Sequence, residues 1–327
     1  IKIKLDLFPL FLKVYLMVHT NFGVILPIYG EKRIDWKSIL NYVKTVENLG
    51  FDSIWVPDHL TNPFLEDSFM LDSWTVLSAL SSITKTIRLG TYVLCNQYRH
   101  PSLIAKMVST LDVISNGRVD LGIGACWLKK EFDSFGLNWD SHKTRLERLK
   151  ESIKVIKALM NENKFSFYGK YYNLKEATLN PKPTQKPNPP IWIGGNSKEI
   201  MEITAELGDG WIPEGLPPET FASGIAFIKS KAKEFGRDPN KLLFAWGGSG
   251  IRNIITKDED SAIKIAESIG LLKPHLLPWI IGSPTQCIKK IESYIKAGAT
   301  HIVLGFYDFP STQALELFSK TILSTFK

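Results

Sequence analysis

Cysteine is scarce in this chain, and long uninterrupted apolar runs are absent. The three cysteines, Cys95, Cys126 and Cys287, form no C-x-x-C pair and have no histidine nearby at the spacing of metal ligands. This pattern argues against a disulfide framework and against any metal site, and it favours a reducing compartment, the cytoplasm. No apolar stretch is long enough to cross a bilayer, so we expect no membrane partner.

A clustered basic patch is also lacking, although the formal net charge is +7 and the pI is about 9.1. The lysines are spread over the polar faces of predicted helices, which is typical of a solvated surface. We therefore expect no nucleic-acid partner, and the charge suits at most a phosphorylated or carboxylated small molecule. With 44% hydrophobic and 22% charged residues, the composition is that of a globular protein.

The first residues, IKIKLDLFPLFLKVYLM, are apolar but interrupted by charged residues and a proline. They lack the small-residue cleavage site of a signal peptide. We predict that residues 1–16 form an N-terminal extension that packs on the barrel or on a partner. Residues 17–327, beginning at Met17, are predicted to form one domain.

From residue 22 onward, short apolar runs alternate with amphipathic helical patterns, which is the signature of βα units. Eight such runs predict a single (β/α)8 TIM barrel with insertion segments, and 327 residues suit that fold. The runs cover residues 22–27, 53–59, 87–95, 118–125, 191–195, 210–213, 242–247 and 301–306.

Capping residues predict where several helices begin. Asp35 is expected to start a helix that runs to Leu49, where Gly50 ends it. The sequences 283–286 and 256–259 are two predicted capping boxes. Residues 161–190 interrupt the alternation with a predicted hairpin around Gly169 and a proline-rich connection. This long segment is either a lid over the barrel mouth or a dimer contact, and residues 269–282 could serve equally well.

The run Ser53-Ile-Trp-Val-Pro-Asp-His59 ends in an acidic residue and an imidazole. The carboxyl ends of the strands in such a barrel are where chemistry is built. Asp58 and His59 are therefore predicted catalytic residues. Imidazole titrates near neutral pH and suits proton transfer, with Asp58 orienting it or meeting a polar edge of a cofactor. The alternative is that His59 only caps the strand.

Small residues follow two other predicted strands. Gly122, Gly124 and Ala125 would leave a flat floor for a planar ring, or they simply fit a crowded barrel interior. A G-x-G-x-x-G dinucleotide motif is excluded, because its third glycine would fall at Trp127.

The sequence Gly194-Gly195-Asn196 joins a strand to a helix, where backbone amides and the positive helix end favour a phosphate. Asn196 is predicted to cap that helix, with Glu199 at the capping-box position. A tight turn that needs glycine would explain the same motif.

Together these motifs resemble the luciferase-like monooxygenase superfamily, and more closely its branch of oxidoreductases that depend on coenzyme F-420, a deazaflavin. The resemblance covers about residues 20 to 325. It is carried by Trp55-Val-Pro-Asp-His59, Leu89-Gly-Thr-Tyr-Val93, Arg99-His-Pro101, Gly117-Arg118, Gly122-Ile-Gly-Ala-Cys-Trp127, Glu131-Phe132, Gly136, Pro190-Ile-Trp-Ile-Gly-Gly195 and Asp209-Gly-Trp211.

The resemblance implies a bacterial-luciferase-like barrel whose mouth binds a flavin-type ring, with hydride transfer between that ring and a small organic substrate. It places Asp58 and His59 beside the ring, and the small residues Gly124 and Ala125 are predicted to bind the same ring. It implies a non-prolyl cis peptide in the third strand, which here is the Tyr92–Val93 bond that backs the ring. It also assigns the cofactor phosphate to Gly194, Gly195 and Asn196, and it implies a homodimer.

Two positions depart from the family pattern. Trp127 stands where some deazaflavin dehydrogenases have a catalytic glutamate, so their acid–base scheme does not carry over whole. Trp127 and Trp211 are instead predicted to line the substrate pocket. Cys126, where relatives often have glycine, is interpreted as a small buried hydrophobe.

The main hypothesis is an F-420-dependent oxidoreductase. One alternative is an FMN-dependent two-component monooxygenase fed by a separate flavin reductase. The other is a flavin-binding relative without turnover, since a fold alone does not imply chemistry.

Overall fold

The computed structural model describes residues 20–30, 34–65, 68–248, 252–271, 273 and 277–327. The predicted N-terminal extension, residues 1–16, and the predicted domain start at Met17 lie outside the described residues. Within the described part of the chain, no helix is both long enough and apolar enough to span a bilayer.

Eight parallel strands close into a barrel, which confirms the predicted TIM-barrel fold. Each strand pairs with its neighbours in chain order, and the ring closes where the last strand pairs with the first. Each of the eight predicted apolar runs overlaps one strand. The strands are β1 (Asn21–Ile25), β2 (Ser53–Val56), β3 (Arg88–Thr91), β4 (Val119–Gly124), β5 (Ile191–Gly194), β6 (Gly210–Ile212), β7 (Leu243–Gly247) and β8 (His301–Leu304).

Helices surround the barrel and cover its outer face. They are α1 (Trp36–Asn48), α2 (Ser73–Ile83), α3 (Pro101–Ile114), α4 (Lys129–Ser134), α5 (His142–Asn161), α6 (Lys198–Leu207), α7 (Pro218–Glu234), α8 (Glu259–Ser268), α9 (Pro284–Lys296), α10 (Gln313–Phe318) and α11 (Ser324–Phe326), with a π-helical turn at Ser319–Leu323. Short strands outside the barrel pair Tyr29–Gly30 with Phe69–Met70, Phe165–Tyr168 with Asn173–Ala177, and Ile254–Ile255 with Ile281–Gly282.

Local capping explains where the helices begin. The Asp35 side chain accepts a hydrogen bond from the Ser38 amide at 3.0 Å, and Gly50 follows the last turn with φ +83°, so the predicted α1 is confirmed. The capping box at the start of α9 is also confirmed. The second predicted box is wrong, because Asp258 rather than Thr256 caps α8.

Large aromatic side chains fill the interior of the barrel below its carboxyl end. Trp55 and Trp192 meet edge to face with ring centroids 5.7 Å apart. The Trp192 indole donates to Asp120, which is ion-paired with Arg88. A Cβ at Gly90 would lie 2.5 Å from the Trp55 ring, so the glycine within β3 makes room for this packing.

The third strand is interrupted before it reaches the mouth of the barrel. Gly90 pairs with Asp120 of β4, whereas Leu94 of the short strand Leu94–Cys95 pairs with Ile123. Between these two pairings the chain advances by four residues on the β3 side and by three residues on β4. The β3 side therefore contains one extra residue, which is a β-bulge. The Tyr92–Val93 peptide bond lies in this bulge and is cis, as the resemblance implied. That prediction is confirmed.

The long segment 161–190 contains the predicted hairpin, with Gly169 at its turn. Glu151 of α5 accepts from the amides of Lys170, Tyr171 and Tyr172 and so holds the hairpin on the helix.

The proline-rich part of the segment lies at the opposite end of the barrel from the mouth. Gln185 bonds to Arg88 and to the carbonyl of Val119, where β3 and β4 begin. The lid interpretation is therefore wrong for this connection. These hydrogen bonds lie within one chain, so the dimer contact stays a prediction.

Candidate active site

A cavity of about 560 Å³ opens at the carboxyl ends of the barrel strands. Its volume lies in the range typical of small-molecule sites. The ends of β2, β4 and β5 and the bulge after β3 all contribute to it. It is lined by every residue predicted to bind a cofactor, namely Asp58, His59, Tyr92, Val93, Gly124, Ala125, Gly194, Gly195 and Asn196.

Asp58 is buried at the rim of the cavity and bound on both carboxylate oxygens. Arg99 makes a two-point ion pair with it, at 2.9 Å to Oδ2 and 3.1 Å to Oδ1. Ser73 donates to Oδ1 at 2.5 Å, and the Cys95 amide donates to Oδ2 at 3.0 Å. Asp58 thus ties the loop after β2 to α2 and to the bulge, and its catalytic role stays a prediction.

His59 lies beside Asp58 and is held by a residue that the sequence analysis left without a role. Its Nδ1 is 2.9 Å from Oε2 of Glu131, which is fully buried at the start of α4. The same carboxylate accepts from Tyr98 and from the amides of Leu60 and Thr61. Because Nδ1 is engaged, Nε2 is the ring nitrogen left for a ligand in the cavity.

Electrostatics at this carboxylate favour its charged form. Burial raises the pKa of Glu131, but hydrogen bonds from His59, Tyr98 and Thr61 outweigh it and leave the pKa below its ordinary value. Burial, together with the hydrogen bond to Glu131, raises the pKa of Tyr98. At neutral pH the carboxylate is therefore ionised and the phenol protonated.

The Val93 side chain lines the cavity and packs against two glycines. A Cβ at Gly194 would lie 2.5 Å from a Val93 methyl, and one at Gly124 would lie 3.0 Å from it. These two glycines therefore make room for the bulge, and both also line the cavity. A planar ligand would rest on the bulge itself.

The amino end of α6 borders the other side of the cavity. Gly195 turns the chain with φ +129°, a backbone conformation that favours glycine. Ser197, not Asn196, caps the helix, so the predicted Asn196–Glu199 box is wrong. Asn196 instead exchanges two hydrogen bonds with the backbone of Glu214. The side chains of Ser197 and Glu199 already bind amides of the first turn, so it is the positive end of the helix that favours an anion here.

Comparison with known proteins identifies the family. The family described as luciferase-like monooxygenase matches residues 19–270.

The chain belongs to this family.

Family membership makes the protein an enzyme, as predicted. It is 26% identical over 317 residues to an F-420-dependent glucose-6-phosphate dehydrogenase of Amycolatopsis mediterranei, covering 88% of this chain and 93% of the relative. It is 28% identical over 327 residues to an FMNH2-dependent dimethylsulfone monooxygenase of Pseudomonas putida, covering 90% of this chain and 89% of that relative. A solved F-420-dependent secondary alcohol dehydrogenase superposes with a TM-score of 0.80 at 23% identity, covering 93% of this chain and 98% of the dehydrogenase. That likeness shows the fold.

A disulfide joins Cys95 to Cys126 in this family member, so the expectation of no disulfide is wrong. The Cα atoms are 5.0 Å apart, and both residues line the cavity. Cys126 is not the small buried hydrophobe that was expected. The pairing escaped prediction because the two residues are 31 positions apart and meet only once the bulge pairs with β4. Cys287 is free and buried.

The two tryptophans assigned to the substrate pocket lie in different places. Trp127 lines the cavity, is 62% exposed, and meets the His59 ring edge to face at 5.7 Å. Trp211 is fully buried under α7, stacked on Phe221, with its indole nitrogen donating to the Gly195 carbonyl. The structure therefore brings Trp127 to the site but not Trp211.

Proposed function

We propose that this protein transfers a hydride between coenzyme F-420 and a small organic substrate, with His59 handling the accompanying proton. The observation that carries the proposal is the His59–Glu131 pair at 2.9 Å, because it leaves one imidazole nitrogen free at a cavity in the barrel mouth. A general acid or base must lie within hydrogen-bond reach of the reacting group, and a nitrogen that faces the cavity is placed to serve a substrate bound there.

The described residues fit a deazaflavin nucleotide. The bulge at Val93 offers an apolar surface for a planar ring, and the positive amino end of α6 beside Gly195 favours a phosphate. Arg252 also lines the cavity and adds a cation for an anionic tail. When bound, the deazaflavin supplies the hydride chemistry, while the protein supplies binding and orientation. The relative from Amycolatopsis mediterranei supports this choice of cofactor.

Each site residue has a distinct proposed task. His59 accepts or donates a proton at Nε2. Trp127, which contacts the imidazole edge to face, excludes water from the imidazole. Asp58, bound by Arg99 and Ser73, holds the loop that carries His59.

A second candidate is an FMN-dependent monooxygenase supplied with reduced flavin by a separate reductase. It is favoured by the likeness to the Pseudomonas putida enzyme across 90% of this chain. FMN also combines a planar ring with a phosphate, so the cavity suits it.

Equilibrium binding distinguishes these functions. Purified protein is titrated with oxidised F-420 and, separately, with FMN, each followed by ligand fluorescence. We expect a lower Kd for F-420, and bleaching of its visible absorbance when a panel of alcohols and aldehydes is screened. Tight FMN binding with substrate-dependent oxygen consumption would instead establish the monooxygenase. F-420 binding without turnover across a broad panel would contradict the proposed hydride transfer.

The His59→Ala variant tests the assigned residue. We expect this variant to fold, because the imidazole lies at the rim of the cavity and Glu131 keeps three other hydrogen-bond donors. F-420 affinity, turnover or both should fall substantially. A variant that binds and turns over like the parent would make His59 a structural residue.

We also propose that the protein forms a homodimer, which the resemblance implies. Leu103, Val113 and Ile114 of α3 are each more than 40% exposed and offer apolar surface. Sedimentation velocity at micromolar concentration tests this, and a monomer alone would contradict it. Location in the cytoplasm stays a prediction, and the Cys95–Cys126 disulfide removes the cysteine pattern as support for it.

A further inference from the structure

We propose that Glu131 is the positioning residue of His59. It holds the imidazole with its proton on Nδ1 and leaves Nε2 basic and directed to the cavity. The inference rests on the proposed function only for its catalytic consequence, because the protonation pattern of the ring can be measured without turnover.

The carboxylate of Glu131 is bound by four donors, two on each oxygen. Oε1 accepts from the amides of Leu60 at 2.6 Å and Thr61 at 3.0 Å. Oε2 lies 2.6 Å from the Tyr98 hydroxyl and 2.9 Å from His59 Nδ1. An ionised carboxylate can only accept hydrogen bonds, so Nδ1 must be the donor. The neutral ring then carries its lone pair on Nε2.

Two backbone amides fix the orientation of the Glu131 carboxylate without any contribution from the imidazole of His59. The two backbone amides belong to the loop directly after His59, and the Glu131 side chain is only 1% exposed. His59 is 15% exposed, so its free edge reaches the cavity. Orienting partners of this kind select the tautomer and direction of a functional histidine.

Among the residues that the structure describes, no other charged side chain is hydrogen-bonded to Nδ1 of His59. Asp58, the preceding residue, is engaged by Arg99, Ser73 and the Cys95 amide. Trp127 contacts the imidazole through its ring. Other ionisable groups lining the cavity are Tyr29, Tyr92, His142, Glu214 and Arg252. None of the hydrogen bonds described for His59 involves them.

The Glu131→Gln variant gives a sharp prediction because of these two amides. The backbone N–H groups of Leu60 and Thr61 need an acceptor, so the side-chain oxygen of the new glutamine must face them. Its NH2 group is then turned toward Nδ1 of His59. That NH2 is a donor, so the imidazole must move its proton to Nε2. The variant therefore inverts the tautomer while keeping the shape of the side chain.

The experiment is 15N NMR of the histidine rings in the parent, in Glu131→Gln and in Tyr98→Phe. We expect the Nδ1–H form of His59 in the parent and the Nε2–H form in Glu131→Gln. Tyr98→Phe is the matched control, since it removes a hydrogen bond to the same oxygen without touching His59, and it should keep the parent tautomer. His59→Ala identifies the His59 signals.

The kinetic readout separates positioning from simple support of the fold. In Glu131→Gln we expect kcat to fall by about 100-fold, the lower end for loss of acid–base catalysis, with KM nearly unchanged and an altered pH profile. Glu131→Asp keeps the charge and should recover part of this loss.

Three outcomes would overturn the proposal. An Nε2–H tautomer in the parent would do so even if no variant folds. An unchanged tautomer in Glu131→Gln, or an inverted tautomer with unchanged kcat, would also do so. If no F-420 turnover is found with any substrate, the proposed function fails, and the NMR result alone then decides the positioning role.

Discussion

The ion pair between Arg99 and Asp58 is expected to be a main support of the loop that carries His59. The side chains are 13% and 2% exposed, and two bonds of 2.9 and 3.1 Å join them. Replacing Arg99 by alanine would leave a buried carboxylate with only Ser73 and the Cys95 amide as partners. Removing one partner of a buried pair costs about 3–5 kcal/mol.

We expect the lower end of this range for Arg99→Ala, about 3 kcal/mol, because two hydrogen bonds to Asp58 remain. The second carboxylate bound to Arg99, that of Asp72, is 49% exposed and adds little. At about 2–4 °C per kcal/mol, the unfolding midpoint should fall by about 6–12 °C. Thermal unfolding followed by circular dichroism measures this.

A double-mutant cycle makes the test specific. In the Arg99→Ala background, Asp58→Asn should cost far less than it does in the parent, since the unpaired charge is already there to be removed. Lys129→Ala is the control, because its ion pair with Asp133 has both side chains more than half exposed and should not move the midpoint. A midpoint for Arg99→Ala within about 2 °C of the parent would refute a structural role for the pair.

Two further predictions concern pH and oxidation. Burial against Trp192 lowers the pKa of His301 from 6.5 to about 4. Between pH 6.5 and 4 the imidazole therefore binds a proton in the unfolded chain but not in the folded chain. The free energy of unfolding should fall by up to about 3 kcal/mol as the pH drops through this range. The free energy of unfolding, measured with denaturant, should depend less steeply on pH in His301→Gln than in the parent. The same pH dependence in both proteins would contradict the lowered pKa of His301. Reducing the Cys95–Cys126 bridge should cost about 3–4 kcal/mol. Thermal unfolding with and without a phosphine reductant tests this, and the double serine variant should be insensitive to it.

Local sequence patterns were enough to predict which segments become strands and where several helices begin. The run at 53–59 is buried on both faces, as expected of a parallel barrel strand, and β2 forms within it. Asp35 and Ser283 start their helices as predicted, because a cap acts within one turn. The bulge with the cis Tyr92–Val93 bond was predicted only through the family resemblance.

Contacts between distant residues were decided by barrel closure and strand register. Glu131 is 72 positions from His59, so no local pattern could assign it as the partner of the imidazole. The Cys95–Cys126 disulfide likewise depends on which residue of β4 the bulge pairs with.

Side-chain direction was also a tertiary outcome. In the three-residue strand β6, Ile212 points into the barrel and Trp211 points out to α7, because successive side chains of a strand alternate between its faces. A short apolar strand buried on both faces carries no pattern that says which residue faces inward. The sequence therefore determined the barrel and the candidate histidine, while closure of the barrel decided which residues surround it. The physical reason is that burial and capping are encoded locally, whereas register is set by strands far apart in the chain.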